Sequence, residues 1–166
     1  MLVRARGRLG AQQRRLAPVV GDAFALPFRD RTFPLVVATR FLHLWPDREQ
    51  RRILAEMTRV LTVGGHLVVD FDNWSHRTFL SGAIAVYQWL RGAGRQVSEH
   101  YNRIRATATM LEGLGLRVDE IRGVGGYHLI AAAWLSHRLG IAIGRRHARP
   151  PLRWLAEQFV VSGCKV

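Results

Sequence analysis

The chain has 166 residues, 48% of them hydrophobic, enough for one core and one domain over residues 1–166. Its single cysteine, Cys164, excludes an intrachain disulfide and a cysteine-built metal site. The formal charge of +13 invites a nucleic-acid reading, but Lys165 is the only lysine, the arginines are spread along the chain, and no aromatic-interleaved basic stripe accompanies them, so specific nucleic-acid binding is not expected.

Taken in chain order, strands and helices alternate, which predicts an α/β domain with a mostly parallel sheet. Met1 to about Arg15 reads as part of a surface helix and lacks the apolar core of a signal peptide. "LAPVVGD" predicts a short strand at Val19–Gly21. "TFPLVVATRF" predicts a second, nearly all apolar, as in a strand covered on both faces. In "WPDREQRRILAEMTRVL" Asp47 is the expected N-cap, and Ile53, Leu54, Met57, Val60 and Leu61 share one helical face. Gly64-Gly65 is the expected end of that helix, with "HLVVDFD" as the next strand.

Beyond Asp72, "HRTFLSGAIAVYQWLRG" and "YNRIRATATMLEGLG" predict helices, and "LRVDEIRGV" a strand. A helix is predicted over Tyr127–Ile143. "YHLIAAAWLSHRLGIAIG" is interrupted by His128, His137 and Arg138, so it is not expected to span a membrane, although its basic end allows weak surface association. "QFVVSG" closes the chain as a short strand. The segments 73–101 and 127–150 are the expected helical cap, and the expected location is cytoplasmic.

Three pieces in register carry more: "VVGDAFALPF", "FPLVVATRFLHLW" and "EMTRVLTVGGHLVV". Together they resemble the class I S-adenosylmethionine-dependent methyltransferases, in particular the type-11 domain, continuously over Val19–Asp72 and more thinly over Arg103–Val124. The resemblance implies a Rossmann-like sheet of order 3-2-1-4-5-7-6, with a helical cap in the C-terminal half. It implies S-adenosyl-L-methionine as cofactor, methyl transfer as reaction and a small, apolar acceptor. By the same resemblance the carboxylate of Asp22 would accept from the adenine amino group, the Ala23 N–H would meet a ring nitrogen, and Phe24 and Leu26 would wall the base. Asp22 is equally a residue that caps its own turn. Thr39, Arg40 and Phe41 would lie along the methionine part. His43 matches the first of the family's paired histidines and is the one candidate base; Leu44 replaces the second. Pro34 stands where the family has aspartate and removes a backbone donor.

Other patterns carry no chemistry. "GVGGYH" lacks the third glycine of a dinucleotide fingerprint. "DFDN" lacks the glycine and glutamate of a calcium loop, though Asp70 or Asp72 could line the substrate side. The histidines do not fall at metal-ligand spacing, so no metal is expected.

The resemblance also implies a first strand, a glycine-rich loop and a ribose-binding acid ahead of Asp22, and "MLVRARGRLG" is similar to the middle of the helix that follows them. The expectation is a truncated methyltransferase sheet, with Met1 an internal methionine or a misplaced start of a longer protein. The alternative is a non-catalytic, methyltransferase-like remnant or partner-binding subunit. Nothing in the sequence names the methyl acceptor or an oligomeric state.

Overall fold

The computed structural model describes residues 17–75, 100–125, 136–150 and 152–166. The helices expected at Met1–Arg15 and His76–Gly92, and residues 126–135 of the cap, lie outside them. The elements are β1 (Phe33–Ala38), α1 (Asp47–Val60), β2 (Leu61–Asn73), β3 (Tyr101–Asn102), α2 (Ile104–Glu112), β4 (Leu116–Val124), α3 (His137–His147) and β5 (Gln158–Lys165). Short 3-10 turns cover Leu42–Leu44 and Leu152–Leu155.

The sheet runs β1-β2-β5-β4, with β3 added at the end of β2. β1 and β3 pair parallel to β2, whereas β5 is antiparallel to both of its neighbours. The last strand is thus threaded between two strands that run the other way; among the described strands the sheet is mostly parallel, as expected, with β5 alone reversed.

Strand alternation sorts the sheet into two faces. Val36, Ala38, Leu67, Val69, Phe71, Phe159 and Val161 sit in register on one face and pack in the core, with the Phe71 and Phe159 rings stacked 5.4 Å apart. Ile53, Leu54 and Met57 of α1 and Leu111 of α2 complete that core, as the helical face read from the sequence requires. The opposite face carries Leu35 and Val37, which are 54% and 56% exposed. β1 is therefore covered on one face only, because no element among the described residues lies over the other. Nor does any described strand pair with its outer edge.

Three local expectations are corrected. Val19–Gly21 is exposed and forms no strand, since among the described residues it meets no ladder to join. Pro46, not Asp47, is the N-cap of α1: its carbonyl accepts the Gln50 N–H at 2.9 Å, and Asp47 becomes the first helical residue, where the dipole favours an acid. Gly64 and Gly65 do not end α1; they lie inside β2.

The helix stops at Val60 for another reason. The backbone N–H groups of Arg31 and Thr32 donate to the carbonyls of Arg59 and Val60 at 3.0 and 2.7 Å. The ammonium of Lys165 donates to those of Thr58 and Leu61 at 2.6 and 2.9 Å. The orphan carbonyls of the helix end are thus taken up by side chain and loop, and no glycine turn is needed. The diglycine serves the sheet. Between Phe33↔Leu61 and Leu35↔His66 the register slips, and Gly64 adopts φ +75° in the extra length of β2. A Cβ on Gly65 would stand 3.1 Å from the Pro34 carbonyl and 2.8 Å from Thr62 Oγ1. Pro34 lies in this interrupted part of the ladder, so its missing N–H costs no regular pairing.

The α3 region also differs: Ser136 is extended (φ −161°, ψ 128°), so α3 starts at His137 and no continuous helix runs from Tyr127 to Ile143. No helix among the described residues is long and apolar enough to cross a membrane.

Replacing Lys165 with methionine keeps the aliphatic stem but takes the ammonium donor from the Leu61 carbonyl and leaves the Thr58 carbonyl with the Leu61 N–H alone. We expect a loss of about 1–3 kcal/mol in urea unfolding, with the far-ultraviolet spectrum of the folded protein unchanged.

Candidate functional site

The candidate residues gather at the carboxyl ends of β1 and β2, where open α/β sheets hold ligands. The first group is a turn. Asp22 Oδ1 accepts the Phe24 N–H at 2.9 Å and the Asp22 carbonyl accepts the Ala25 N–H at 3.1 Å, so the aspartate does cap its own turn. The residue is nonetheless exposed, and among the described residues the Ala23 N–H finds no acceptor. The turn presents, side by side, a carboxylate and an amide that has no acceptor among the described residues.

Phe24 points inward. Its ring meets Trp45 edge-on at 5.0 Å, and the Arg52 guanidinium lies 5.1 Å from its centroid. Phe41 reaches the same tryptophan at 6.2 Å, so Trp45 joins the Asp22 turn to the loop after β1. Its indole N–H is buried without an acceptor among the described residues. Leu26 is half-buried against the core.

Two acids fix the loop after β1. Asp70 and Asp72 alternate with Phe71, so both carboxylates lie on the face away from the core, and both are buried. Asp70 Oδ1 accepts the Arg40 backbone N–H at 2.8 Å. Asp72 Oδ1 accepts from Gln158 Nε2 at 2.8 Å and lies 4.0 Å from the Arg40 guanidinium. Arg40 has φ +56°, a left-handed conformation that costs a non-glycine residue about 1 kcal/mol or more, and the Asp70 contact offsets it. Thr39 is exposed. His43 is 7% exposed in the 3-10 turn, and its carbonyl accepts the His100 N–H at 3.0 Å.

The support beneath this loop is polar and buried. Gln50, on the apolar face of α1, donates to the Leu42 and Trp45 carbonyls at 3.1 and 2.9 Å and accepts from Asn102 Nδ2 at 2.9 Å. Asn73, fully buried, donates to the carbonyls of Trp154 and Ala156 at 3.1 and 2.9 Å, tying the end of β2 to the approach to β5. A cavity of about 230 Å³ opens beside it, lined by Trp74, Tyr101, Arg103, Met110 and their neighbours at the start of α2. The Arg103 guanidinium lies 4.3 Å over the Trp74 ring. Among the described residues no cluster of acids, histidines and cysteine could hold a metal.

Residues 1–69 match the family model of a methyltransferase domain. A demethylmenaquinone methyltransferase of Thermobifida fusca is 43% identical over 67 residues, 40% of this chain and 28% of that protein. Over this front portion the chain is similar in sequence to methyltransferases. A solved methyltransferase from Methanosarcina mazei superposes with a TM-score of 0.58 at 18% identity, over 89% of this chain and 66% of its own. The magnesium protoporphyrin IX methyltransferase of Synechocystis, solved with S-adenosylhomocysteine, gives 0.58 at 10% identity, over 99% and 57%. These two establish the fold alone. The chain spans little more than a quarter of its curated relative, at 28%.

In the methyltransferase order, β1, β2, β5 and β4 stand as strands four, five, seven and six, and this part of the expected sheet is observed. The residues that hold the candidate site together escape motif reading. Gln50 could have been found as a polar residue within the apolar stripe of α1, and Glu56 and Arg59 as an i,i+3 pair of opposite charge. Trp45 and Asn102 carry no local signal.

Glu56 and Arg59 position the chain that leads from the Asp22 turn. Arg59 Nη2 and Nε contact both Glu56 oxygens at 2.9 Å, while its other contacts reach Leu26 O, Phe28 O and Asp30. The hydrogen bond from Arg59 holds the Glu56 carboxyl below its ordinary value of 4.5, against the opposing effect of burial. A depressed carboxyl stabilises the fold fully above its ordinary value, and that contribution is lost as pH falls through the lower folded value. Glu56→Gln should therefore be less stable than the parent at pH 7, by about 1 kcal/mol, and the gap should close below pH 4.5 in parallel urea titrations. Asp70→Ala removes the acceptor of the Arg40 N–H. We expect a loss of about 1–3 kcal/mol and faster tryptic cleavage at Arg40 in limited proteolysis.

Proposed function

We propose that the chain binds S-adenosylmethionine at the Asp22 turn and the loop after β1, and that the protein to which it belongs transfers the methyl group to a small, apolar molecule. The observation that carries this reading is the exposed Asp22 carboxylate beside the Ala23 N–H, which has no acceptor among the described residues. An acceptor and a donor so placed complement the amino group and a ring nitrogen of adenine. The buried, unsatisfied Trp45 N–H next to Phe24 and Phe41 supports a polar ligand atom nearby.

The cofactor would supply an activated methyl group, taken in line by an oxygen, nitrogen or carbon of the acceptor. The chain's part is placement. Thr39, Arg40 and Phe41, clamped by Asp70 and Asp72, form the ledge for the methionine end, and the cavity by Trp74, Tyr101 and Met110 suits an apolar acceptor. Alignment of this kind can carry most of such a reaction without a base. His43, buried in its turn, is then a packing residue unless the cap opens a path to it.

A second reading, a non-catalytic partner-binding subunit of methyltransferase ancestry, is favoured by one observation. Leu35 and Val37 are exposed beside an outer edge of β1 that no described strand covers.

Titration calorimetry with S-adenosylhomocysteine separates the two. The first reading expects saturable binding, weakened roughly tenfold by Asp22→Ala for the loss of one hydrogen bond and little changed by Asp22→Asn, which keeps an acceptor. No heat of binding from the folded chain would favour the partner-binding subunit.

A further inference from the structure

From Gly123 to Ala156 the sequence has no acidic residue, and in that stretch stand Arg138, Arg145, Arg146, Arg149 and Arg153. The structure gathers four of them. Arg138, Arg145 and Arg146 are exposed on α3, and Arg149 is exposed just past its end. At 100° per residue, positions 138, 141, 142, 145, 146 and 149 fall on one side of the helix. Ile141, 45% exposed, and Ala142 therefore lie between the guanidiniums. Among the described residues none of these four arginines forms an ion pair. Trp154, 38% exposed, sits in the 3-10 turn that packs against α3.

We propose that this face of α3 docks on an anionic phospholipid surface. Guanidiniums with no acid in the stretch to neutralise them complement lipid phosphates, and an aliphatic side chain exposed in their midst has a place to go at a headgroup boundary. A polyanion such as RNA would use the arginines but gain nothing from Ile141, and α3 itself carries no phenylalanine, tyrosine or tryptophan for stacking bases. Docking through one short helix and a few charges is reversible and salt-sensitive.

The test is co-sedimentation of the whole chain with vesicles of phosphatidylglycerol and phosphatidylcholine in equal parts, against pure phosphatidylcholine. We expect binding to the anionic vesicles only. Reversing Arg138, Arg145 and Arg149 to glutamate should weaken it on the order of a hundredfold. Ile141→Ser should weaken it about threefold at unchanged charge. Reversing Arg48, Arg51 and Arg105, exposed elsewhere, serves as the charge-matched control, and thermal melting checks that every variant folds. The proposal is overturned if the α3 triple variant sediments like the parent, if the control triple loses as much, or if Ile141→Ser has no effect. A parent that shifts RNA through these arginines while leaving vesicles unbound would assign the face to nucleic acid and also overturn it.

Discussion

The guanidinium of Arg59 is the point on which the front of the molecule depends. Its contacts with both Glu56 oxygens fix it along α1, and from there it takes the carbonyls of Leu26 and Phe28. Glu56 Oε2, the oxygen that meets Arg59 Nη2, also accepts the Leu26 N–H at 3.0 Å. The segment after the Asp22 turn has no strand or helix of its own, so these bonds stand in for a ladder. Its outer contact, to the 71%-exposed Asp30, lies in water and contributes little by comparison. Through Arg59, the turn that carries the adenine-binding candidates is referenced to the same helix that supports the loop after β1.

That loop is held from below by amides and from the side by carboxylates, a division that follows from strand parity. Leu67, Val69 and Phe71 of β2 face the core; the even positions between and after them put Asp70 and Asp72 on the other face. An aspartate at any of the three core positions would be a buried charge in an apolar core. At the even positions it can reach Arg40 and Gln158. The strand thus serves core and site at once, with one-residue resolution.

Much of this was legible. The apolar stripe of α1, the full extent of β4 from Leu116 to Val124 and the terminal strand follow from periodicity, and the run from Val19 to Asp72 carries the family resemblance. What could not be read depended on partners distant in the chain. The helix end that seemed to belong to Gly64-Gly65 is made by Lys165, about a hundred residues on, and no local rule links the two. The antiparallel setting of β5 leaves no trace in a strand that is half-buried on alternate residues either way. Val19–Gly21 has strand composition, yet composition supplies no neighbour. Gln50, Asn102 and Asn73 satisfy carbonyls of irregular chain, and such carbonyls appear only once the loops have been placed.

The cap at the end of α1 has one more consequence. Every other basic side chain in the protein is a guanidine or an imidazole, so Lys165 is the sole side-chain primary amine. It is also the amine bound to the helix end, and burial lowers its proton affinity. Amine-selective acylating reagents thus find a single side-chain target, and, held by hydrogen bonds to the end of α1, it becomes more reactive when β5 parts from α1. The chain carries, at its natural composition, a built-in chemical reporter of that opening.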